Sequence, residues 1–581
     1  MKTKLNFKID NHSLKILIIY FSFISALELL AYGVGGFFSC VAAYVWLFTG
    51  IFWLGYFLFY VGLNIKKDVK AKDYLLAGVF LGLILLFLFF IGNVSFSDIN
   101  PDSAQQLAEG LRAFEKPDLG YTGTAFLGYP ARQYLIAAIP AYIFGANVWT
   151  LHAGFGLMFL IGLTVLFFGL RDWLKKEGIK EIYVLLPCFA LLAFPFITEY
   201  YMNFEQAITP VALTLLAIGL FLKLLVSPNI IIVSAISYVG CLMADSYTPV
   251  LASLGLLLVF LLINALSNIY KKALFSVSEK EKLSSSVGYA CIGCAANIFS
   301  FFIATYISGR SDRITEFREN TSVFESAFSS IKEFLTDANV RFLGIFGGLI
   351  ILYLVLSLTG RLLLIDALIS LWVLGVVFFS DYMVGYASYE KAWLMQRNMI
   401  VIPVLITCIF LAILRIVKKH GLHLSKPVFI ILLIFFFFAG LFNFRQPHNS
   451  FRYFRYVQPM KYAIDYISDT LKENGMKNTD EFCLVIYTDN GLEGNIHDYA
   501  SFFFPNAITY SESGDVYDEW IDASKICLFF AEDDRLKTLE PENGHGSENY
   551  IRFLRTSMDS QTYTNLRYDS EVTWYRKVMK P

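Results

Sequence analysis

Residues Asn93–Thr150 read NVSFSDINPDSAQQLAEGLRAFEKPDLGYTGTAFLGYPARQYLIAAIPAYIFGANVWT, and across them an apolar chain turns polar and then apolar again. Asp98 and Asp102 follow the preceding hydrophobic run by a few residues, where carboxylates can stay hydrated beside a bilayer. Asn100-Pro101-Asp102-Ser103 has the composition of a helix start, with Asn100 as cap, Pro101 at the first position and acidic Asp102 in the first turn. A short surface helix over SAQQLAEGLRAF is therefore expected. Capping and catalysis do not exclude each other at Asp102, because a carboxylate fixed at a helix start is well placed to act. The end of the stretch, Tyr134–Phe144, is apolar but only about eleven residues long. A helical crossing takes roughly 20 residues. Pro130 and Pro140 each remove a backbone donor. This segment is expected to be interfacial or re-entrant.

Outward from that loop the chain is apolar. It has 581 residues, 56% hydrophobic, 17% aromatic and 16% charged, with mean hydropathy +0.56. A soluble protein of this size could not cover so much apolar surface, so the composition defines a polytopic membrane protein. The 56 Phe and 34 Tyr suit a large lipid-facing area with aromatic belts. A net charge of -1 implies no polyanionic partner, nucleic acid included. Six of the eight cysteines lie in or beside apolar runs and read as small hydrophobes, the CIGC at Cys291 among them. Cys483 and Cys527, near the C-terminus, can pair only in an oxidising space. The first apolar run is too long for a cleavable signal and has no small-residue cleavage site.

About thirteen spans are expected. Leu14–Ala31, Ser39–Val61 and Tyr74–Gly92 precede the loop. Trp149–Leu170, Ile182–Ile197, Gln206–Leu225, Ile230–Met243, Pro249–Leu266 and Val287–Tyr306 follow it. Leu343–Leu358, Leu362–Phe379, Met399–Ile416 and Pro427–Phe442 complete the set. Several fall short of a full crossing, which implies tilted or broken helices. Lysine and arginine orient them. Clusters at Lys2–Lys15, Lys66–Lys72, Arg171–Lys180, Lys271–Lys282 and Arg415–Lys426 share one side if Tyr134–Phe144 does not cross. The N-terminus is then cytoplasmic, in a bacterial inner or plasma membrane, and the loop at 93–148 is extracytoplasmic.

The opposite side gathers the remaining polar elements. They are EYYMNFE with Glu199 and Glu205, ADSYTP with Asp245 at a helix end, the loop at 308–341, and DYMVGYASYEKAWLMQR with Arg397. Within the 308–341 loop, mixed helical periodicity in ITEFRENTSVFESAFSSIKEFL suggests an amphipathic surface helix. Residues 1–442 thus form the transmembrane domain. Residues 443–581 have ordinary soluble charge density and read as an extracytoplasmic α/β domain. In it RYVQPMKYAIDYISDTLKEN is an amphipathic helix, and EFCLVIYTD, KICLFFAEDD and EVTWYRKVM are strands.

Such a surface suits sugar transfer from a lipid-phosphate donor, whose phosphate lies at the headgroup plane. A carboxylate there can deprotonate an acceptor hydroxyl. A basic side chain or a divalent cation can stabilise the departing phosphate. Arg310 and Arg313, in SGRSDR, and Arg397 are candidates to bind it; each also reads as an interfacial anchor.

The order of apolar region, acidic loop, GYP..YL.AAIPAYIFGANVWTL and many spans resembles the GT-C glycosyltransferases. The nearest branch is that of the protein O-mannosyltransferases and bacterial lipid A aminoarabinose transferases. In that family the first large loop carries an Asp-Glu pair, then an aromatic, then a proline-marked entry to a helix ending in Phe-Gly. Asp102-Ser103 matches the pair, with Asp98 as substitute, and Tyr129-Pro130, Tyr134 and Phe144-Gly145 match the rest. The pair's Glu is here Ser103, and the family's arginine after the Phe-Gly step is here His152. Three apolar runs precede the loop where one is usual.

The resemblance implies a glycosyltransferase with a polyprenyl-phosphate-sugar donor and Asp102 as base or acceptor-orienting residue. The acceptor would be an extracytoplasmic glycan, lipid or protein. Tyr129 and His152 would then line the substrate or phosphate site, and Glu199, Glu205 or Asp245 would form a second acidic site. Asp102 with Glu199 or Glu205 is a candidate set for Mg²⁺ or Mn²⁺, and basic residues acting without metal are the alternative. The competing classes are a transporter or flippase, and a non-catalytic envelope-glycan assembly protein. A transporter would need ionisable groups deep within spans, of which Asp366 is the best candidate.

Overall fold

The structure is a computed structural model. It describes residues 11–34, 36–70, 101–115, 135–194, 208–227, 229–245, 318–337, 340–359, 400–421, 425–445, 457–487, 499–511, 527–532, 559–565 and 570–579, with a few isolated positions. In chain order the helices are α1 (Asn11–Gly33), α2 (Phe37–Lys70), α3 (Pro101–Glu115), α4 (Leu135–Phe144) and α5 (Val148–Lys176). Then come α6 (Leu185–Ala193), α7 (Ile208–Val226), α8 (Ile230–Asp245) and α9 (Val323–Asp337). Next are α10 (Val340–Thr359), α11 (Val401–Lys419), α12 (Lys426–Arg445) and α13 (Val457–Glu473). Among the described residues three helices are long and apolar enough to cross a membrane: Phe37–Lys67 within α2, Val148–Lys176 and Val401–Lys419. Shorter apolar helices accompany them, so the chain is a polytopic α-helical membrane protein. The expected spans Tyr74–Gly92, Pro249–Leu266, Val287–Tyr306 and Leu362–Phe379 lie outside the described residues, apart from isolated positions.

Helix α5 is the axis of the bundle. It begins with a capping box in which the Asn147 side chain accepts the Thr150 N–H and the Thr150 hydroxyl accepts the Asn147 N–H, both at 3.0 Å. Gly145 precedes it at φ +81, a left-handed turn that favours glycine. Along α5, three glycines admit neighbouring backbone. A Cβ on Gly154 would stand 2.0 Å from the Ala137 carbonyl of α4, on Gly162 2.4 Å from Ala212 O of α7, and on Gly169 2.3 Å from Gly219 O of α7. In an apolar solvent, where burial gives no drive to association, such small-residue contacts are what holds helices together. The pairs 162–212 and 169–219, with Lys176 Nζ on the Val226 carbonyl, keep a constant offset of 50 residues. Helices α5 and α7 therefore run parallel.

The lysine-bearing end of α5 is tied by charge. Arg171 donates to Asn64 Oδ1 of α2 at 3.2 Å and lies 3.9 Å from Glu181, while its guanidinium sits 4.7 Å above the Phe168 ring. Lys175 meets Glu181 at 3.3 Å, Lys223 pairs with Asp172, and Lys418 of α11 reaches Glu177 at 2.8 Å. The C-terminal ends of α2, α5, α7 and α11, with their lysines, thus share one end of the bundle. Helix α8 starts beside Val226 at that end and runs away from it to Asp245.

Helix α9 opens with a second capping box. The Ser322 N–H and hydroxyl donate to Glu325 Oε2 at 2.9 and 2.8 Å, and the Glu325 N–H donates to Ser322 Oγ at 3.2 Å. The Ser322 backbone bond first, and its hydroxyl second, hold the Glu325 carboxyl below the usual glutamate range. A lowered value contributes stability that is fully present above the ordinary pKa of about 4.3. That contribution is lost as pH falls through the lowered value. Hydrogen-exchange protection of the first turn of α9, corrected for intrinsic rates, is expected to fall in that acidic window, and Glu325→Gln to remove the pH dependence.

The C-terminal segment folds as a mixed sheet in the order β2-β1-β3-β5-β4. Its strands are β1 (Phe482–Tyr487), β2 (Ala507–Ser511), β3 (Cys527–Glu532), β4 (Asp559–Asn565) and β5 (Ser570–Met579). Strands β1, β2 and β3 are parallel, and β5 runs antiparallel to β3 and to β4. Strand β1 is interior to the sheet and buried on both faces from Phe482 to Ile486, which accounts for its unbroken apolar run. Helix α13 buries Ala463, Ile464, Ile467 and Leu471, a stripe at helical spacing. It ends at Gly475, φ +73, where the Met476 N–H returns to the Leu471 carbonyl. Cys483 is buried, with Cys527 as its register partner on β3.

Candidate active site

The segment that opened the sequence reading supplies three elements at one end of the bundle. Helix α3 packs on α4, α5 and α2, and α4 packs on α5 with Ala137 against Gly154. Gly154 lies in the second turn of α5, so α3 and α4 sit towards the end remote from the lysines. Helix α4 is ten residues long with Pro140 inside it. It buries Leu135, Ile136, Ala137, Ala138 and Ala141 and leaves Tyr142, Ile143 and Phe144 exposed. The expected surface helix is present as Pro101–Glu115, but it is not a surface element. Its apolar stripe Ala104, Leu107, Ala108 and Leu111 is buried, and so are Ser103, Gln106 and Glu109 on the other side. Both faces are enclosed because α3 is wedged among three helices instead of lying on one.

Asp102 is the second residue of α3. Seven residues separate it from Glu109, two turns, so the two positions share a helix face about 10 Å apart along the axis. Gln106 lies between them on that face. Gln106 is 1% and Glu109 9% exposed, so both are turned into the protein. Gln106 and Glu109 were not singled out from the sequence, where spacing of three and four is also that of a solvated face. Ser103, where the resembling family has its Glu, is wholly buried. A small hydroxyl suits such a position, whereas a carboxylate there would have to be paired.

His152 lies on the first turns of α5 and is 0% exposed. Helix α5, which carries it, is in contact with α3, which carries Asp102. Asp245 is the last residue of α8, which packs on α7. Asp98, Tyr129, Glu199, Glu205, Arg310, Arg313 and Arg397 lie outside the described residues. Among the described residues no group of three His, Cys, Asp or Glu side chains is placed to hold a metal ion.

No protein-family profile matches the sequence, and no curated protein matches it. Two solved structures align with most of the chain, both of ArnT from Cupriavidus metallidurans. The one bound to undecaprenyl phosphate is 12% identical and covers 86% of this chain and 97% of its own, at a TM-score of 0.47. The apo form is 13% identical and covers 87% of this chain and 98% of its own, at a TM-score of 0.45. Both alignments are loose, with TM-scores below one half.

Proposed function

We propose that the chain is a GT-C-type glycosyltransferase that moves a sugar from a polyprenyl-phosphate donor to an extracytoplasmic glycan, lipid or protein. The observation that supports this reading is the burial of Gln106 and Glu109 on α3, four and seven residues after Asp102 at helical spacing. Asp102 acts as the base that takes the acceptor proton as the hydroxyl attacks the anomeric carbon, and Asp98 is its alternative. Glu109 supplies the second carboxylate that the Asp102-Ser103 pair lacks. Arg310, Arg313 or Arg397 holds the departing phosphate, with His152 and Tyr129 beside the substrate. Glu199, Glu205 and Asp245 form a second acidic site on the same side. Where the reaction uses Mg²⁺ or Mn²⁺, Asp102 with Glu199 or Glu205 would be its ligand set. About thirteen crossings, with Tyr134–Phe144 uncrossed, place the N-terminus in the cytoplasm and the domain at 443–581 over the site. Placing the lysine-bearing end at the cytoplasmic face follows the positive-inside rule.

The donor class is read most directly by native mass spectrometry of the chain released from nanodiscs. A co-purified polyprenyl phosphate is the expected adduct, displaced by added polyprenyl-phosphate sugar. Lipid flux in proteoliposomes with no new glycosidic bond would establish a transporter instead.

A further inference from the structure

Helix α9 is amphipathic, and its apolar side is exposed instead of packed on the protein. Phe324, Ala327, Phe328, Ile331 and Leu335 recur at helical spacing on one side, and Glu325, Ser326, Ser329, Lys332 and Glu333 occupy the other. In the structure Ser326, at 3% exposed, is turned against the protein, while Glu325, Ser329 and Lys332 are exposed. Phe324 is 84% and Phe328 75% exposed. An apolar stripe turned away from the protein needs a different apolar partner. The continuation of the chain identifies it. Helix α10 begins three residues after α9 ends, and it exposes Ile351, Leu352, Leu354 and Val355. Such a surface on an apolar helix is covered by acyl chains. The exposed stripe of α9 is thus followed at once by a helix with a lipid-facing surface, and α9 itself has 15 residues with Glu325 and Lys332 exposed to water.

We propose that α9 lies in the plane of the membrane interface, with Phe324 and Phe328 inserted between lipid headgroups and upper acyl carbons, so that the 308–341 loop is moored to the bilayer surface. The partner is the phospholipid surface itself. The capping box at Ser322 and Glu325 fixes where the in-plane helix begins.

The test uses the full chain in vesicles of phosphatidylethanolamine and phosphatidylglycerol. Benzoylphenylalanine is introduced singly at Phe328, at Lys332 on the polar side, and at Ile351 on α10 as a lipid-facing reference. After irradiation, mass spectrometry of the labelled peptides reads what each position touched. Phospholipid adducts at 328 and 351, with none at 332, are expected. Lipid adducts at 351 without any at 328 overturn the proposal. So does capture at 328 of a polyprenyl phosphate alone or of a second copy of the chain, and so do equal lipid adducts at 328 and 332. None of these outcomes depends on sugar transfer, so the result is separable from the proposed reaction.

Discussion

Asp102→Asn is expected to lower sugar transfer by about 10²–10⁴-fold at unchanged abundance of protein in the membrane. Asn keeps the shape of the side chain and removes only its capacity to take a proton. The stability cost is confined to the lost interaction of a negative charge with the start of α3, about 0.3–1 kcal/mol. Transfer to an acceptor in proteoliposomes, measured beside thermal unfolding, separates the two effects. Asp98→Asn made in parallel decides which carboxylate carries the reaction. Full activity in both variants would sink the carboxylate-base mechanism. Partial recovery of Asp102→Asn at raised Mg²⁺ or Mn²⁺ would shift the role of Asp102 from base to metal ligand.

Gly219→Val is expected to cost upwards of about 3 kcal/mol. A Cβ at Gly219 would lie 2.5 Å from the Val165 carbonyl atoms and 2.6 Å from Leu166 N. Those are backbone atoms, which cannot rotate aside, so α5 and α7 would have to separate along their shared length. Gly55→Val on α2 is the matched control, since Gly55 is exposed and a Cβ there meets nothing within 4 Å. Unfolding temperature in detergent and yield from the membrane should fall for the first and hold for the second. Equal behaviour of the two variants would remove the glycine contacts from the account of how the bundle is held.

The parts of this architecture that are legible in the sequence are those written in hydropathy. Helices α2, α5 and α11 are long, apolar and end in lysines, so both their existence and their common direction can be read. Strands β1, β3 and β5 are apolar or alternating and read as strands. Strand β4, DSQTYTN, is a polar edge strand paired only with β5, and β2 is five residues long, so neither carries the period that would mark it. The start of α3 at Pro101 is encoded locally by Asn100, Pro101 and Asp102. Its burial is not, because enclosure by α2, α4 and α5 leaves no trace in the helix's own periodicity. For α9 the sequence gives the two faces and withholds which of them looks outward. Glycines 154, 162 and 169 look like any glycines in an apolar helix until α4 and α7 are seen against them.

The fixed 50-residue offset between α5 and α7 also sets an order of events during synthesis. Two parallel helices can meet only after the chain between them has returned across the bilayer. Residues 177–207 must therefore thread back before Gly219 reaches Gly169. Until then α5 has its Gly162 and Gly169 notches unfilled, with only the earlier helices α2, α3 and α4 to pack on. The nascent chain thus carries its central helix through the insertion of a further segment with one side still unpartnered. A delay in delivering α7 would prolong that vulnerable interval more than a delay in any helix made afterwards.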